Sequence, residues 1–163
     1  MNTVDQKKIV PIFNVADYVA GVNSTSINMS NYSHATIILL FDGTVSGNAR
    51  MTISSAAATD TSTTAITDWK GWVTGADVGA VASDTFSATA VTVDSAQNYC
   101  TLTEATFEDR MLVIEIPASL LADGHNWFRI VLGAEAASGG LHGVAILTPR
   151  YAQKDIPTAV KTA

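Results

Sequence analysis

The chain has 163 residues, which is enough for one domain with a single hydrophobic core. Only 15% of its residues are charged, and it has a formal net charge of −6 without any cluster of lysine or arginine. This balance argues against nucleic-acid binding, which requires a basic surface that neutralises phosphates. No apolar stretch reaches the length of a signal peptide or a membrane span, so we expect no membrane partner.

The cysteine count and the low charge limit the class of protein further. Cys100 is the only cysteine, so the fold cannot depend on an intrachain disulfide, in agreement with synthesis in a reducing cytoplasm. Apolar residues make up 47% of the chain, and the mean hydropathy is +0.23. Two interpretations remain open: neighbouring chains cover part of the surface, or the chain is a small sandwich with a neutral exterior.

Short runs typical of β-strands recur along the whole chain, separated by turns rich in Asp, Asn and Gly. In 49–54, the apolar residues Ala49, Met51 and Ile53 alternate with polar residues, as in a strand buried on one face. The predicted strands are 9–13, 26–30, 35–41, 49–55, 64–69, 85–93, 99–103, 111–116, 127–132 and 143–147. Two stretches are candidate helices, 15–22 and 118–122, although the second resembles a corner between strands.

This pattern predicts an all-β fold: an antiparallel β-sandwich of jelly-roll type, with less than about one-eighth helix. We expect an N-terminal arm (1–8), a sandwich domain (9–148) and a C-terminal arm (149–163). The C-terminal arm contains Pro149 and Pro157, which cannot donate ladder hydrogen bonds, so we do not expect it to form a central strand. The predicted core residues are Ile37, Leu39, Met51, Ile53, Val91, Val93, Leu112, Ile114, Ile130 and Leu132.

Residues that could carry chemistry do not form a recognisable site in the sequence. The three histidines are His34, His125 and His142, and no other His or Cys lies within four residues of any of them. Acidic residues gather beside Arg110, in a segment that we interpret as a polar loop with solvated charges: Glu104, Glu108 and Asp109. We therefore predict no catalytic residue, no metal site and no cofactor, and we expect the chain not to be an enzyme.

The tryptophans leave an alternative open. Trp69 and Trp72 flank Lys70 and Gly71 just before a loop, 73–83, that is rich in Gly and Ala. Tryptophans exposed on a sandwich could stack on sugar rings and make the chain a carbohydrate-binding module. Packing in the core or between subunits is the interpretation that we favour for Trp127.

The second half of the chain carries a resemblance to a known class of protein. An alternating strand and a corner ending in Asp-Gly occupy 111–124, an aromatic-rich strand occupies 126–132, and a strand ending in Pro-Arg-Tyr occupies 145–151. This order resembles the jelly-roll proteins that decorate or cement the capsids of tailed phages. The resemblance covers about residues 100–151 and includes no active-site signature. It implies a trimeric β-sandwich on the capsid exterior, with the major capsid protein as partner.

Three functions are therefore weighed. The first is a capsid decoration or cement protein, made in the host cytoplasm and located in the virion. The second is a tail or head–tail connector component, and the third is a carbohydrate-binding or adhesive module. For the first function we expect a homotrimer, with the C-terminal arm docked on a neighbouring subunit or on a capsid surface. The candidate interface residues are Arg150, Tyr151, Ile156, Val160 and Trp72.

Overall fold

The fold consists of two antiparallel sheets that pack as a sandwich. The computed structural model describes residues 7–43, 47–61, 64–94, 96–133, 138–151 and 157–160. Strands make up 51% of the structure and helices 5%. The predictions of an all-β sandwich and of a helix content below one-eighth are both confirmed.

Within the described ranges, the strands follow one another with few other elements between them. In chain order they are β1 (Lys8–Asp17), β2 (Val22–Asn23), β3 (Ile27–Asn28), β4 (Tyr32–Phe41), β5 (Asn48–Ala56), β6 (Thr64–Ala65), β7 (Lys70–Val73), β8 (Cys100–Thr103), β9 (Met111–Pro117), β10 (Trp127–Leu132) and β11 (Gly140–Pro149). A four-residue helix, α1 (Glu104–Phe107), precedes β9, and a 3-10 turn (Ala118–Leu120) follows it. That turn is the corner between strands that the sequence suggested.

The two sheets differ in their regularity. The five-stranded one, called sheet A, has the order β1-β11-β4-β9-β7. In the other, called sheet B, β10 and β5 are neighbours, the short strands β2 and β3 pair with β10, and β6 and β8 pair with β5. The order β1-β11-β4-β9 opposite β3-β10-β5-β8 is compatible with the predicted jelly roll.

The core lies between the sheets and is built from alternate residues of each strand. In sheet A, Ile37 is opposite Ile114 in the β4–β9 register, and both are fully buried. In sheet B, Ile53 is opposite Ile130, again with both buried. The strand alternation therefore predicted the inward faces correctly. The confirmed core residues are Ile37, Leu39, Met51, Ile53, Leu112, Ile114, Ile130 and Leu132.

The prediction of a strand at 85–93 is wrong. This segment touches the edge strand β7 through two isolated bridges, Gly71 to Val91 and Thr74 to Phe86. A segment that pairs with an edge strand only at two isolated bridges does not form a continuous ladder of hydrogen bonds. The alternating apolar residues of 85–93 are therefore not held facing the core as they would be in a strand. Val91 and Val93 are accordingly only partly buried against the core.

The predicted helix at 15–22 is also wrong. Strand β1 continues to Asp17, because two register shifts against β11 accommodate extra residues without ending the pairing. Tyr18 then follows as a fully buried core residue, and the chain turns at Gly21, where φ is +78°. Register shifts of this kind disrupt the strict alternation that identifies a strand from sequence.

The acidic segment after β8 contains a helix that the sequence did not predict. α1 begins after Thr103 and includes Phe107, which is 2% exposed and packs in the core. Asp109, at φ +51°, lies just beyond the helix. The interpretation of 104–109 as a simple polar loop is therefore corrected: one aromatic side chain anchors it.

Candidate functional site

One small polar network lies on the outer face of sheet A. The His34 Nε2 contacts the Glu115 Oε2, and the Thr36 hydroxyl donates a hydrogen bond of 3.0 Å to the same carboxylate oxygen. The side chains of His34 and Glu115 are 34% and 35% exposed. Pairs this accessible to water contribute little to stability, typically about 0–1 kcal/mol. The network joins β4 to β9 and orients the carboxylate along the sheet surface.

A second polar contact was not predicted, because it joins residues that are distant in sequence. The Ser55 Oγ lies 2.9 Å from the His125 Nδ1, and the backbone N–H of Ala122 lies 3.4 Å from the same oxygen. Ser55 is fully buried. A serine–histidine hydrogen bond also occurs in hydrolases, but here the hydroxyl is enclosed and ties the 118–126 connection to β5.

The single thiol is not activated. Cys100 is buried in β8, and this burial raises its pKa to about 11. The thiol is therefore protonated at neutral pH, whereas nucleophilic cysteines need a lowered pKa and access to solvent. Among the described residues, no group of three or more His, Cys, Asp or Glu is arranged to hold a metal ion.

A continuous row of apolar side chains crosses the outer face of sheet A. The strand registers place Trp72 opposite Val113, Val113 opposite Ile38, Ile38 opposite Val144, and Val144 opposite Pro11. These five side chains therefore lie side by side across all five strands. Pro11 is exposed and the other four are half-buried. We call these five residues the apolar row.

Apolar side chains continue on both sides of the apolar row. On one side, Leu40 lies opposite Met111, and on the other, Ile9 lies opposite Ile146. Leu40 and Ile9 are 37% and 47% exposed. The outer face of an antiparallel sheet that contacts water normally carries polar side chains. Sheet A departs from this rule near its centre, where apolar residues occupy both faces.

Charged side chains next to the apolar row are few and balanced. Lys70 lies directly opposite Glu115 in the β7–β9 register, two residues along these strands from Trp72 and Val113 of the row. Farther along, the Lys7 Nζ donates a hydrogen bond of 2.7 Å to the Thr148 hydroxyl. The charges thus lie toward one end of the face and leave the row itself uncharged.

The outer face of sheet B has a different composition. Its central register places Arg129 opposite Ser54 and Val131 opposite Thr52, while Arg50 lies opposite Thr101. The Arg129 Nη1 also donates to the backbone oxygen of Asp60. Polar and charged side chains therefore interrupt this face at each strand. The two outer faces of the sandwich are not equivalent, and the apolar one belongs to sheet A.

The predicted interface residues lie in different environments. Arg150 is exposed, and its Nε donates a charge-assisted hydrogen bond of 3.0 Å to the backbone oxygen of Tyr32. Tyr151 is 76% exposed. Ile156 lies outside the described residues. Trp72 differs from the others, since it forms one end of the apolar row.

The described part of the C-terminal arm packs on its own domain. The Tyr32 hydroxyl donates to the backbone oxygen of Pro157 at 2.5 Å, and the Asn28 N–H donates to that of Ala159 at 2.7 Å. The docking of the arm on a neighbouring subunit or on a capsid surface stays a prediction, but Ala159 belongs to the core of its own chain and Val160 packs against that core.

The three tryptophans do not form a joint platform. Trp69 is 1% exposed, and its indole N–H has no hydrogen-bond partner among the described residues. A buried ring cannot stack on a sugar, which removes Trp69 from the sugar-binding hypothesis. Trp72 and Trp127 are half-buried on different sheets.

The loop after β7 exposes a second set of apolar side chains. Val78, Val81 and Phe86 are 53%, 95% and 45% exposed. Beneath the loop, an open depression of about 390 Å³ reaches Arg110, whose Nε forms an ion pair of 2.9 Å with Asp77. This pairing holds the loop against β9 but leaves its apolar tips in solvent.

Sequence reasoning singled out Trp72 and missed the other members of the apolar row. One signal was present: residues 37–41 read Ile-Ile-Leu-Leu-Phe, with no polar residue on either face of the strand. Such an unbroken run indicates a strand that is covered on both sides. In the described part of the chain, no helix is both long and apolar enough to cross a membrane.

Comparisons of the chain with protein-family models, with curated proteins and with solved structures gave no match. Functional inference for this chain therefore depends on its own residues and on the surface that they form.

Proposed function

We propose that this chain is a non-enzymatic structural protein of a virion: a decoration or cement protein that binds the outer lattice of a phage capsid. The observation that supports the proposal is the apolar row, which crosses all five strands of sheet A without a charged side chain. Contiguous exposed apolar patches on a folded protein mark sites of interaction with other proteins.

The composition of the face fits a protein–protein contact. The centres of such contacts are depleted in charge and enriched in aromatic residues and methionine. Trp72 lies in the apolar row, and Met111 lies beside it. Lys70 and Glu115 lie opposite each other on one side of these residues, at a position that corresponds to the polar rim of such a contact.

The shape of the face also favours a macromolecular partner. Small-molecule sites are concave and enclose most of their ligand. The outer face of sheet A is an array of adjacent strands, and an array of this kind pairs with another broad surface. A protein that assembles on a regular lattice uses such surfaces repeatedly. The resemblance of 100–151 to capsid decoration proteins supports the exterior of a capsid as that lattice. The proposed partners are a homotrimer of the chain itself and the major capsid protein.

Co-sedimentation tests the proposal. The purified protein is mixed with capsids assembled from the major capsid protein encoded in the same genome, and the mixture is centrifuged through a cushion. We expect saturable co-sedimentation with these capsids and none with capsids of an unrelated phage. Protein that stays in the supernatant at tens of micromolar would count against a decoration function.

The alternatives make different predictions in the same preparation. A tail or head–tail connector component would appear by electron microscopy at one vertex or along the tail, not over the capsid surface. A carbohydrate-binding module has the half-buried Trp72, on the outer face of sheet A, as its supporting observation. It would bind polysaccharide in affinity electrophoresis and lose that binding in Trp72→Ala.

A further inference from the structure

We infer that the apolar row is the contact between copies of this chain, so that a second copy covers it. The inference rests on the proposed function, in which the protein contacts both its own copies and the capsid lattice, and it assigns the apolar row to the contact between copies. Three properties of the outer face of sheet A support it: its area, its charge and its composition.

The area of the face approaches that of a standard contact. Neighbouring strands are about 4.8 Å apart, so the five strands of sheet A span about 24 Å. The ten residues of β4 extend about 34 Å at about 3.4 Å per residue. Because β7 has only four residues and β9 seven, the face measures about 670 Å², somewhat below the roughly 800 Å² that each partner buries in a standard specific interface.

The charge of the face allows two copies to meet. The chain has a formal net charge of −6, so copies that approach in an arbitrary orientation repel each other. Beside the apolar row, one flanking set holds Lys70 and Glu115 next to each other, and the other holds Met111, Leu40 and His142. The positive charge of Lys70 and the negative charge of Glu115 therefore balance beside the row. The face thus presents a second acidic copy with a surface that does not repel it.

The composition favours a permanent partner over a transient one. Interfaces between identical subunits are more apolar than contacts that form and dissociate. A face that carries Trp72, Val113, Ile38 and Val144 side by side is an aggregation hazard while it stays in water. Copies of the same chain are present wherever the chain is made, whereas a lattice partner is met later.

A matched pair of valines tests the inference. Val113 lies in the apolar row, and Val131 lies on the outer face of sheet B opposite Thr52; both are half-buried in strands with neighbours on each side. The full chain and its variants Val113→Lys and Val131→Lys are examined by sedimentation equilibrium over micromolar concentrations. We expect wild-type protein and Val131→Lys to share one oligomeric mass. Val113→Lys should raise the dissociation constant about 30-fold or more, the effect of losing a central contact residue.

The opposite results overturn the inference. These are a monomeric wild-type protein, an unchanged mass for Val113→Lys, or equal dissociation by both variants. Far-UV circular dichroism establishes that each variant is folded. If Val113→Lys does not fold, Val144→Thr replaces it, since it changes the same row with little change in volume; an unchanged dissociation constant for that variant contradicts the inference equally.

The outcome is separable from that of the proposed function. A monomer that still co-sediments with capsids would refute the copy-to-copy contact and leave the decoration function standing. An oligomer that depends on Val113 but does not bind capsids would refute the decoration function and leave the contact between copies standing.

Discussion

Ile114 illustrates how much one side chain contributes to this sandwich. It lies in β9, fully buried, opposite Ile37 of β4 and beside Gly71 of β7. We expect Ile114→Ala to lower the free energy of unfolding by about 2–5 kcal/mol, because the cavity adds to the lost burial. Urea denaturation measures this, with the exposed Thr101→Ala as control, expected within about 0.5 kcal/mol. A loss below 0.5 kcal/mol for Ile114→Ala would place its side chain outside the core.

We expect the protein to lose stability at alkaline pH, because two buried residues, Tyr18 and Cys100, have raised pKa values. Burial, with the negative charges of Asp42 and Asp17, raises the pKa of Tyr18 to about 12 from 10.0, and burial raises that of Cys100 to about 11 from 9.0. The folded state therefore favours the neutral forms. Their stabilising contribution is complete below pH 9 and is lost as the pH rises from 9 to 12.

Equilibrium unfolding at several pH values measures this loss. Tyr18→Phe should remove the part of the decline that occurs above pH 10. Near pH 7, it should leave stability unchanged or slightly higher, since the Tyr18 hydroxyl has no hydrogen-bond partner among the described residues. A variant as sensitive to alkaline pH as the wild type would show that Tyr18 ionises freely in the folded protein.

At the scale of elements, the C-terminal segment acts as a tie across β3 and β4. Deleting 157–163 removes the hydrogen bonds from the Tyr32 hydroxyl and the Asn28 N–H, and it uncovers the core next to Ala159. We expect the deletion to cost about 2–3 kcal/mol, given about 1 kcal/mol for each hydrogen bond and a contribution from burial. Thermal unfolding measures it, with deletion of 161–163, which keeps both bonds, as control. Equal melting temperatures for the two truncations would mean that the segment is only loosely attached.

The elements that the sequence predicts well are those whose two faces differ. In β5, apolar and polar side chains alternate, and in β10 the buried Phe128, Ile130 and Leu132 alternate with half-buried residues; both strands lie within one residue of their expected bounds. The errors occur where tertiary contacts decide. Register shifts extend β1 through 15–17, an unpaired edge leaves 85–93 without a ladder, and Phe107 anchors α1. None of these contacts leaves a periodic trace in a single sequence.

The candidate interaction surface was only partly predictable for a similar reason. The apolar row takes one residue from each of five strands, and these strands are far apart in the chain. Its members become neighbours through the register of four strand pairs, which the sequence does not reveal. Residues 37–41 could indicate that β4 is covered on both faces, but not which residues of other strands share its outer face.

For the molecule as a whole, the pairing of distant segments predicts slow folding. β1 pairs with β11, with Lys8 opposite Leu147, and β4 lies between β11 and β9. Closing such long loops before their contacts form lowers the folding rate, and sandwiches of this kind fold in milliseconds to seconds. Stopped-flow refolding that follows tryptophan fluorescence should show this time range. Refolding within microseconds would require contacts more local than this topology provides.

The same pairing has a consequence for synthesis on the ribosome. β1 emerges well before its ladder partner β11, because Lys8 and its partner Leu147 are far apart in the chain. At about 5–20 residues per second, β1 waits roughly 7 to 28 seconds for that partner. During this delay its backbone donors and acceptors could pair with another nascent chain, as exposed strand edges do. Pro11 and the two register shifts in β1 hinder such pairing, because a chain without one N–H and with irregular spacing is a poor template. Replacing Pro11 by Thr would therefore leave the finished fold intact and increase co-translational aggregation.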